Sequence, residues 1–362
     1  MNSNLIIKEI KEDKGALEFC KQFLNSSKYP KYLFGRNIYA NAIVDHVKID
    51  GFIDDYYKES MYLGIPVFKL EDIPLNSLVL VISGGKVKTA MNKVNNLNIA
   101  NLDYFSFYKY SGLQLTEIIF NENFYNEFET NKLQFNWIYN LLSDDISKEQ
   151  FSNLVNFKLS YDLNFLKDFD DKEDQQYFEN FLQLKEEGEV FLDVGAYDGY
   201  TSEEFIKISP KYKAIHIFEP DENNLLKAKE RLKNYSNIVF HNQGLSSKKD
   251  TLKFDIGGST SKISDTGIIE VKVDMLDSII KEQVTFIKID IEGAESDAIE
   301  GAVKTILDNH PMIAISVYHK VEDFWKIPKQ ILDIRDDYKI YLRHYTESIY
   351  ETVMFFIPLQ KD

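Results

Sequence analysis

A single cysteine, Cys20, stands among 362 residues. That excludes an internal disulfide and a thiolate zinc site, and it suits a reducing compartment. No stretch reaches 18 consecutive apolar residues, so no membrane-spanning helix is expected, and the opening MNSNLIIKEIKEDK lacks the long apolar core of a signal peptide. A soluble, cytoplasmic protein is the expectation. Positive charge is also scarce: 42 Lys and Arg stand against 58 Asp and Glu, for a formal net charge of -16. That balance leaves no overall electrostatic footprint for DNA, RNA or an anionic membrane, so neither nucleic acid nor membrane is an expected partner, a local basic patch aside. Homo-oligomerisation stays open. Also absent is the dinucleotide fingerprint G-x-G-x-x-G.

What the chain does have is apolar material for two cores, 44% hydrophobic with 14% aromatic, and a length that exceeds what one core usually supports. Its most informative segment is FLDVGAYDGYTSEEF, 191–205, where an apolar strand ends at Asp193 and opens into a glycine-bearing turn before a helix. Gly195 and Gly199 permit a sharp turn and close backbone approach. Asp198 in the same turn is a poor neighbour for a pyrophosphate, which favours N–H groups and a helix N-terminus. A phosphate-free ligand with a positive centre suits it better, and S-adenosylmethionine is such a ligand. About 26 residues after Asp193, the run AIHIFEP ends in Glu219. There a carboxylate can accept from the two ribose hydroxyls.

The alternation of patterns divides the chain into 1–112, 113–187 and 188–362. In the first part, strands at KYLFG, KIDGFIDD, IPVFKLEDIP and SLVLVIS alternate with helices at RNIYANAIVDHV and KVKTAMNKVNNL. This predicts a small parallel, Rossmann-like unit with Gly35 at its first turn and Asp54 and Asp55 after its second strand. Its use is read either as structural docking or, by fold analogy to domains that precede bacterial sugar-modifying enzymes, as nucleotide-sugar binding. Residues 113–187 read as a helical connector, with Gln176, Tyr177 and Phe178 as a candidate lid over the cofactor. The third part reads as a doubly wound α/β sheet with an antiparallel final hairpin. Asp221 is placed to cap one of its helices. A strand-bearing insertion there carries a loop at Gly257, Gly258, Ser259, Thr260 and Ser261.

FLDVGAYDGYTS, IHIFEPD, VDMLDSI and FIKIDIEGAE together resemble the FkbM family of S-adenosylmethionine-dependent methyltransferases, with KIDIEGAE, 288–295, the most specific of them. The resemblance implies a class I methyltransferase sheet and methyl transfer to hydroxyls, usually of sugars or glycosylated natural products. It implies cofactor contacts from Asp193, Gly195, Ala196, Asp198, Gly199 and Glu219, and roles for Asp290 and Glu292 at the active-site edge. Tyr197, Thr201, Pro220, Gly244 and Tyr177 complete the candidate cofactor set. The expected product is an O-methylated sugar, nucleotide-sugar or glycan precursor for a bacterial surface polysaccharide. A nicotinamide-dependent oxidoreductase and a non-catalytic nucleotide-binding protein are the alternatives.

A hydroxyl attacks a sulfonium well only when a base takes its proton, and histidine or a carboxylate suits that task near neutral pH. His319 is the first candidate base, because YHK follows the fifth strand at the edge where open α/β sheets bind ligands. With Asp290 and Glu292 it forms either an acid–base cluster, the favoured reading, or a divalent-cation site. Arg343, His344 and Lys320 are candidate substrate contacts, an arginine being suited to phosphate or carboxylate. His241 is a candidate adenine neighbour, whereas His46, His216 and His310 read as structural or exposed.

Overall fold

The structure, a computed structural model, describes residues 4–254 and 269–359. The loop expected at Gly257 to Ser261 lies outside the described residues. Asp13 accepts from the Ala16 N–H and starts α1 (Lys14–Asn25), a helix that the strand-helix alternation does not announce. There follow β1 (Lys31–Phe34), α2 (Ile38–Val44), β2 (Gly51–Ile53), β3 (Met61–Tyr62), β4 (Ile65–Phe68), β5 (Leu78–Val81), α3 (Val87–Asn96), β6 (Ala100–Asp103) and α4 (Tyr104–Tyr110). The strands form one sheet in the order β3-β4-β2-β1-β5-β6, parallel except at the β3–β4 edge. β1 and β5 are buried along their whole length and, Lys31 at the start of β1 apart, built of apolar and aromatic residues, as the centre of a parallel sheet covered on both faces requires.

In the connector, α5 (Phe124–Leu141) and α6 (Asp145–Ser160) are helical, the latter capped by Asp144. Beyond α6 the helical expectation fails. Residues 161–187 hold only three short 3-10 turns, anchored by buried Leu166, Phe169, Tyr177 and Leu182. Aromatic spacing there marks separate anchors rather than one helical face.

The third part runs β7 (Val190–Val194), α7 (Tyr200–Ile208), β8 (Ala214–Phe218), α8 (Glu222–Arg231), β9 (Ile238–His241), β10 (Gly244–Leu245), β11 (Asp250–Phe254) and β12 (Ile269–Asp274). It continues α9 (Leu276–Ile279), β13 (Phe286–Ile289), α10 (Glu295–Glu300), α11 (Val303–Asn309), β14 (Met312–Ser316), α12 (Asp323–Ile334), β15 (Tyr338–His344) and β16 (Thr352–Pro358). Seven strands make the main sheet in the order β15-β16-β14-β13-β7-β8-β9, with β16 antiparallel to both neighbours. This is the doubly wound class I plan with its antiparallel end. β10, β11 and β12 form a separate small sheet in the insertion, and Asp221 caps α8 through the Asn224 N–H.

One apolar core runs from the first sheet through α5 and α6 onto one face of the second sheet. A second core on the other face gathers around Phe191, Phe205 and Phe286. Strand order reverses about β7, flanked by β13 and β8, so the turns after β7 and β13 open a crevice at the switch point. Among the described residues no helix is long and apolar enough to cross a membrane.

Candidate active site at the strand edge

β7 and β13 end in register, Val194 opposite Ile289, so the turns after them touch at once. Gly195 has φ of +78°, and a Cβ there would lie 1.8 Å from the Asp290 carbonyl oxygen. That close approach is what demands glycine. Gly199, at φ of +80°, packs against Ala228 of α8, 3.1 Å from where its Cβ would be. Both glycines therefore serve chain-to-chain contacts, and the turn's own N–H groups are largely used inside the protein: Gly195 and Ala196 donate to the Phe218 carbonyl, and Gly199 to the Ala196 carbonyl.

Three charged groups hold the turn. Lys288 is buried; its Nζ donates to the Gly195 carbonyl at 2.6 Å and lies 3.4 Å from Asp193 Oδ1. Asp193, fully buried, accepts from the Ser202 hydroxyl at 2.7 Å. Expected as a cofactor contact, it instead pins α7 and Lys288 from beneath the turn. Glu219 joins the two loops, its carboxylate accepting from the Tyr197 N–H at 2.9 Å and the Asp221 N–H at 2.8 Å. Burial raises its pKa above the usual carboxylate range. Each of its oxygens keeps a lone pair for a ligand hydroxyl.

Asp198 corrects the reading of an acidic loop facing a sulfonium. Its carboxylate lies 2.6 Å from Arg231 Nη2 of α8, so its charge is answered inside the protein. Thr201 sits in the first turn of α7, and Pro220 lends its carbonyl to Asn242. Gly244 lies in β10, paired to Val273 in the small sheet. His241 stacks on Phe218 at 4.3 Å beside the same edge and meets His216, which in turn meets Glu282. Burial and His216 pull the His241 pKa down to about 4.

Opposite the turn, Asp290, Glu292 and His319 come together as expected. His319 Nε2 lies 3.6 Å from Asp290 Oδ1 and 3.6 Å from Glu292 Oε2, and Nδ1 lies 3.0 Å from Glu295 Oε1. Burial alone pulls the imidazole pKa down, but Glu295, Asp290 and Glu292 outweigh it and hold it at about 10. Expected as the general base, His319 is a cation near neutral pH and has no free lone pair to take a proton. Burial raises Glu292 to about 7 despite His319, and its side chain is 45% exposed.

The lid residue Tyr177 is buried, and its hydroxyl donates to Asp290 Oδ2 at 2.6 Å. Beside it, Gln176 and the Tyr318 hydroxyl both donate to Glu351. Tyr177, Tyr197, Glu292 and Glu351 all have positive φ. Such backbone costs roughly 1–2 kcal/mol per residue, and here four instances ring one site.

Two substrate candidates stand elsewhere. Arg343 is paired with Asp144 at 2.7 Å and donates to Ser147, tying β15 to the start of α6. His344 is buried against Phe169, bonded to Thr352, and burial pulls its pKa down to about 3. As neighbours in β15 they point to opposite faces of the strand, and each meets a connector residue, Arg343 meeting Asp144 and His344 meeting Phe169. Lys320 does reach the mouth: it is exposed, and its chain lies beside Gly293.

Lys288, Glu295, Tyr318 and Glu351 were missed as functional residues. A lysine and a glutamate in the apolar run FIKIDIEGAE were the available clue to the first two. For Tyr318 and Glu351, which meet only through the fold, there was none.

Residues 193–346 match the model of the methyltransferase FkbM domain. The methyltransferase FkbM of Methylobacillus flagellatus KT is similar in structure over 95% of this chain and 93% of its own, with 23% identity and a TM-score of 0.74. That likeness establishes the fold, the first α/β unit included. An rRNA methylase from Streptococcus thermophilus shares 15% identity over 48% of this chain and 89% of its own, with a TM-score of 0.33. Fibrillarin from Aeropyrum pernix with bound S-adenosyl-L-methionine shares 13% over 47% of this chain and 67% of its own, with a TM-score of 0.32. No curated protein matches the chain.

Proposed function

We propose that this chain, which carries a methyltransferase FkbM domain over residues 193–346, uses S-adenosylmethionine to methylate a hydroxyl of a sugar, nucleotide-sugar or glycan precursor of a bacterial surface polysaccharide. The observation that carries this reading is the direct contact of the cofactor turn at Gly195 with the acidic edge at Asp290. That contact supports a donor and an acceptor held side by side at the switch point.

The residues fit the cofactor. Glu219 stands where a ribose would offer its hydroxyls, and Asp290, Glu292 and Glu295 outnumber the one imidazolium between them, so a cation is welcome there. S-adenosylmethionine supplies an electrophilic methyl group and departs as a neutral thioether once the acceptor oxygen has taken it. The chain's own part is to align that oxygen, which contributes several kcal/mol, and to take the hydroxyl proton at the Asp290–Glu292 edge. Tyr177 orients Asp290 by its hydrogen bond, and Lys320 stands at the mouth where an acceptor enters.

The first α/β unit is read as a docking element for the methyltransferase part. Glu347, in the β15–β16 turn, accepts from the Thr89 N–H at 2.7 Å and from its hydroxyl at the start of α3. Tyr350 of the same turn reaches within 3.6 Å of a Cβ placed on Gly84. The carboxyl edge where that sheet would hold a nucleotide thus meets the turn that carries Glu351, which supports docking.

Glu219→Ala is expected to weaken S-adenosylhomocysteine binding by about 2 kcal/mol, through two freed backbone N–H groups and a lost ribose acceptor. Isothermal titration reads it, and unchanged affinity would remove Glu219 from the cofactor site. The acceptor class is tested by incubating the chain and methyl-labelled cofactor with a panel of nucleotide-sugars and free glycosides. Label is expected on a sugar hydroxyl. Transfer only to non-sugar acceptors would overturn the substrate reading.

A further inference from the structure

His319 is placed for more than a charge. Its side chain is 1% exposed, and neither ring nitrogen has a hydrogen-bond partner of good geometry. Nδ1 faces Glu295 Oε1 at 3.0 Å, an ion-pair contact. Nε2 faces Asp290 Oδ1 and Glu292 Oε2 at 3.6 Å each, beyond hydrogen-bond reach of either. A buried ring nitrogen left unpaired between two carboxylates is rare unless something sits among them.

The spacing suits an ion. Oxygen and nitrogen ligands about 2.1 Å from a small divalent cation lie about 3 Å from one another in an octahedral shell, so small side-chain shifts close the 3.6 Å gaps. Asp290, Glu295 and His319 offer atoms that all fall within 4.8 Å of one another, and Glu292 joins them only through its 3.6 Å approach to the same Nε2. The outer partners are also present. Glu295 Oε1 is fixed by the Ile291 N–H at 2.9 Å and stands against Nδ1, the arrangement that orients a metal-bound imidazole. Asp290 uses its other oxygen on the Tyr177 hydroxyl, which leaves Oδ1 facing Nε2.

We propose that Asp290, Glu292 and His319 bind one hard divalent cation of the Mg²⁺ or Mn²⁺ class, which displaces the proton that His319 Nε2 carries in the empty site, with Glu295 holding the imidazole in its ligating tautomer. Two carboxylates and one imidazole, with no sulfur, select that class. Glu292, the exposed member, leaves the outer side of the ion open. An acceptor hydroxyl that binds there would pass its proton to the second oxygen of Glu292; its oxygen would then bond the methyl carbon as the carbon–sulfur bond breaks, and the cofactor would leave as the neutral thioether. This use of the ion rests on the methyl transfer proposed above; its binding does not.

The test is a titration of the full-length chain, stripped with EDTA and desalted, with MnCl₂ in the absence of cofactor, reading free Mn²⁺ by its electron paramagnetic resonance. One Mn²⁺ per chain is expected. Glu295→Gln is expected to weaken it by about 10- to 100-fold, and Asp290→Asn and His319→Gln by at least about 100-fold. On the same samples, the rise in melting temperature caused by S-adenosylhomocysteine reports folding and the cofactor reading independently. A wild-type chain that retains no Mn²⁺, or three variants that bind it as the wild type does, overturns the metal site. Loss of the S-adenosylhomocysteine effect with Mn²⁺ still bound overturns the cofactor reading and leaves the metal site standing.

Discussion

Replacing Gly195 with alanine is expected to destabilise the protein by about 3–5 kcal/mol and to abolish cofactor binding. Two costs combine. At φ of +78° an L side chain is strained, and its Cβ would lie 1.8 Å from the Asp290 carbonyl oxygen. Backbone cannot yield as a flexible side chain does, so β7 and β13 must part at the switch point. Gly64 is the control, because it has φ of +74° and nothing within 4 Å of a Cβ. Gly64→Ala is expected to cost only the strain, about 1–2 kcal/mol. Urea denaturation measures both variants. Equal costs would show that the two turns do not touch.

His319→Gln is expected to lower kcat by about 100- to 1,000-fold while KM for the cofactor and S-adenosylhomocysteine binding stay near wild type. The amide keeps much of the ring's volume beside Tyr318 and Phe120 but removes the imidazole that stands between Asp290, Glu292 and Glu295. Steady-state kinetics with the cofactor varied, beside calorimetry, separates the two effects. A large rise in cofactor KM with kcat unchanged would move His319 from the acceptor side to the cofactor side.

The second sheet was legible because its central strands, such as VFLDV and FIKI, are buried on both faces and read as short apolar runs between turns. β6 was missed because ANLD looks polar, yet it closes the first sheet beside β5. The connector beyond α6 was misread because aromatic residues that anchor separate turns mimic helical spacing. At the site, the residue types at Asp290, Glu292, Glu219 and His319 were readable from motif and strand edge. Their states were not. Asp198 looked free until Arg231, 33 residues away, came beside it. Arg343 looked like an anion binder because its partner Asp144 lies 199 residues away. His319 passed for a base because its charge depends on three carboxylates gathered around it in space.

Whether this crevice holds a sulfonium cofactor or a dinucleotide decides the rest. Calorimetric titration of the full-length chain with S-adenosylhomocysteine and, separately, with NAD is the direct measurement. Binding of S-adenosylhomocysteine with a Kd below about 1 mM, and no heat from NAD, is the expected result. Binding of NAD without S-adenosylhomocysteine would contradict it and return the chain to the oxidoreductases.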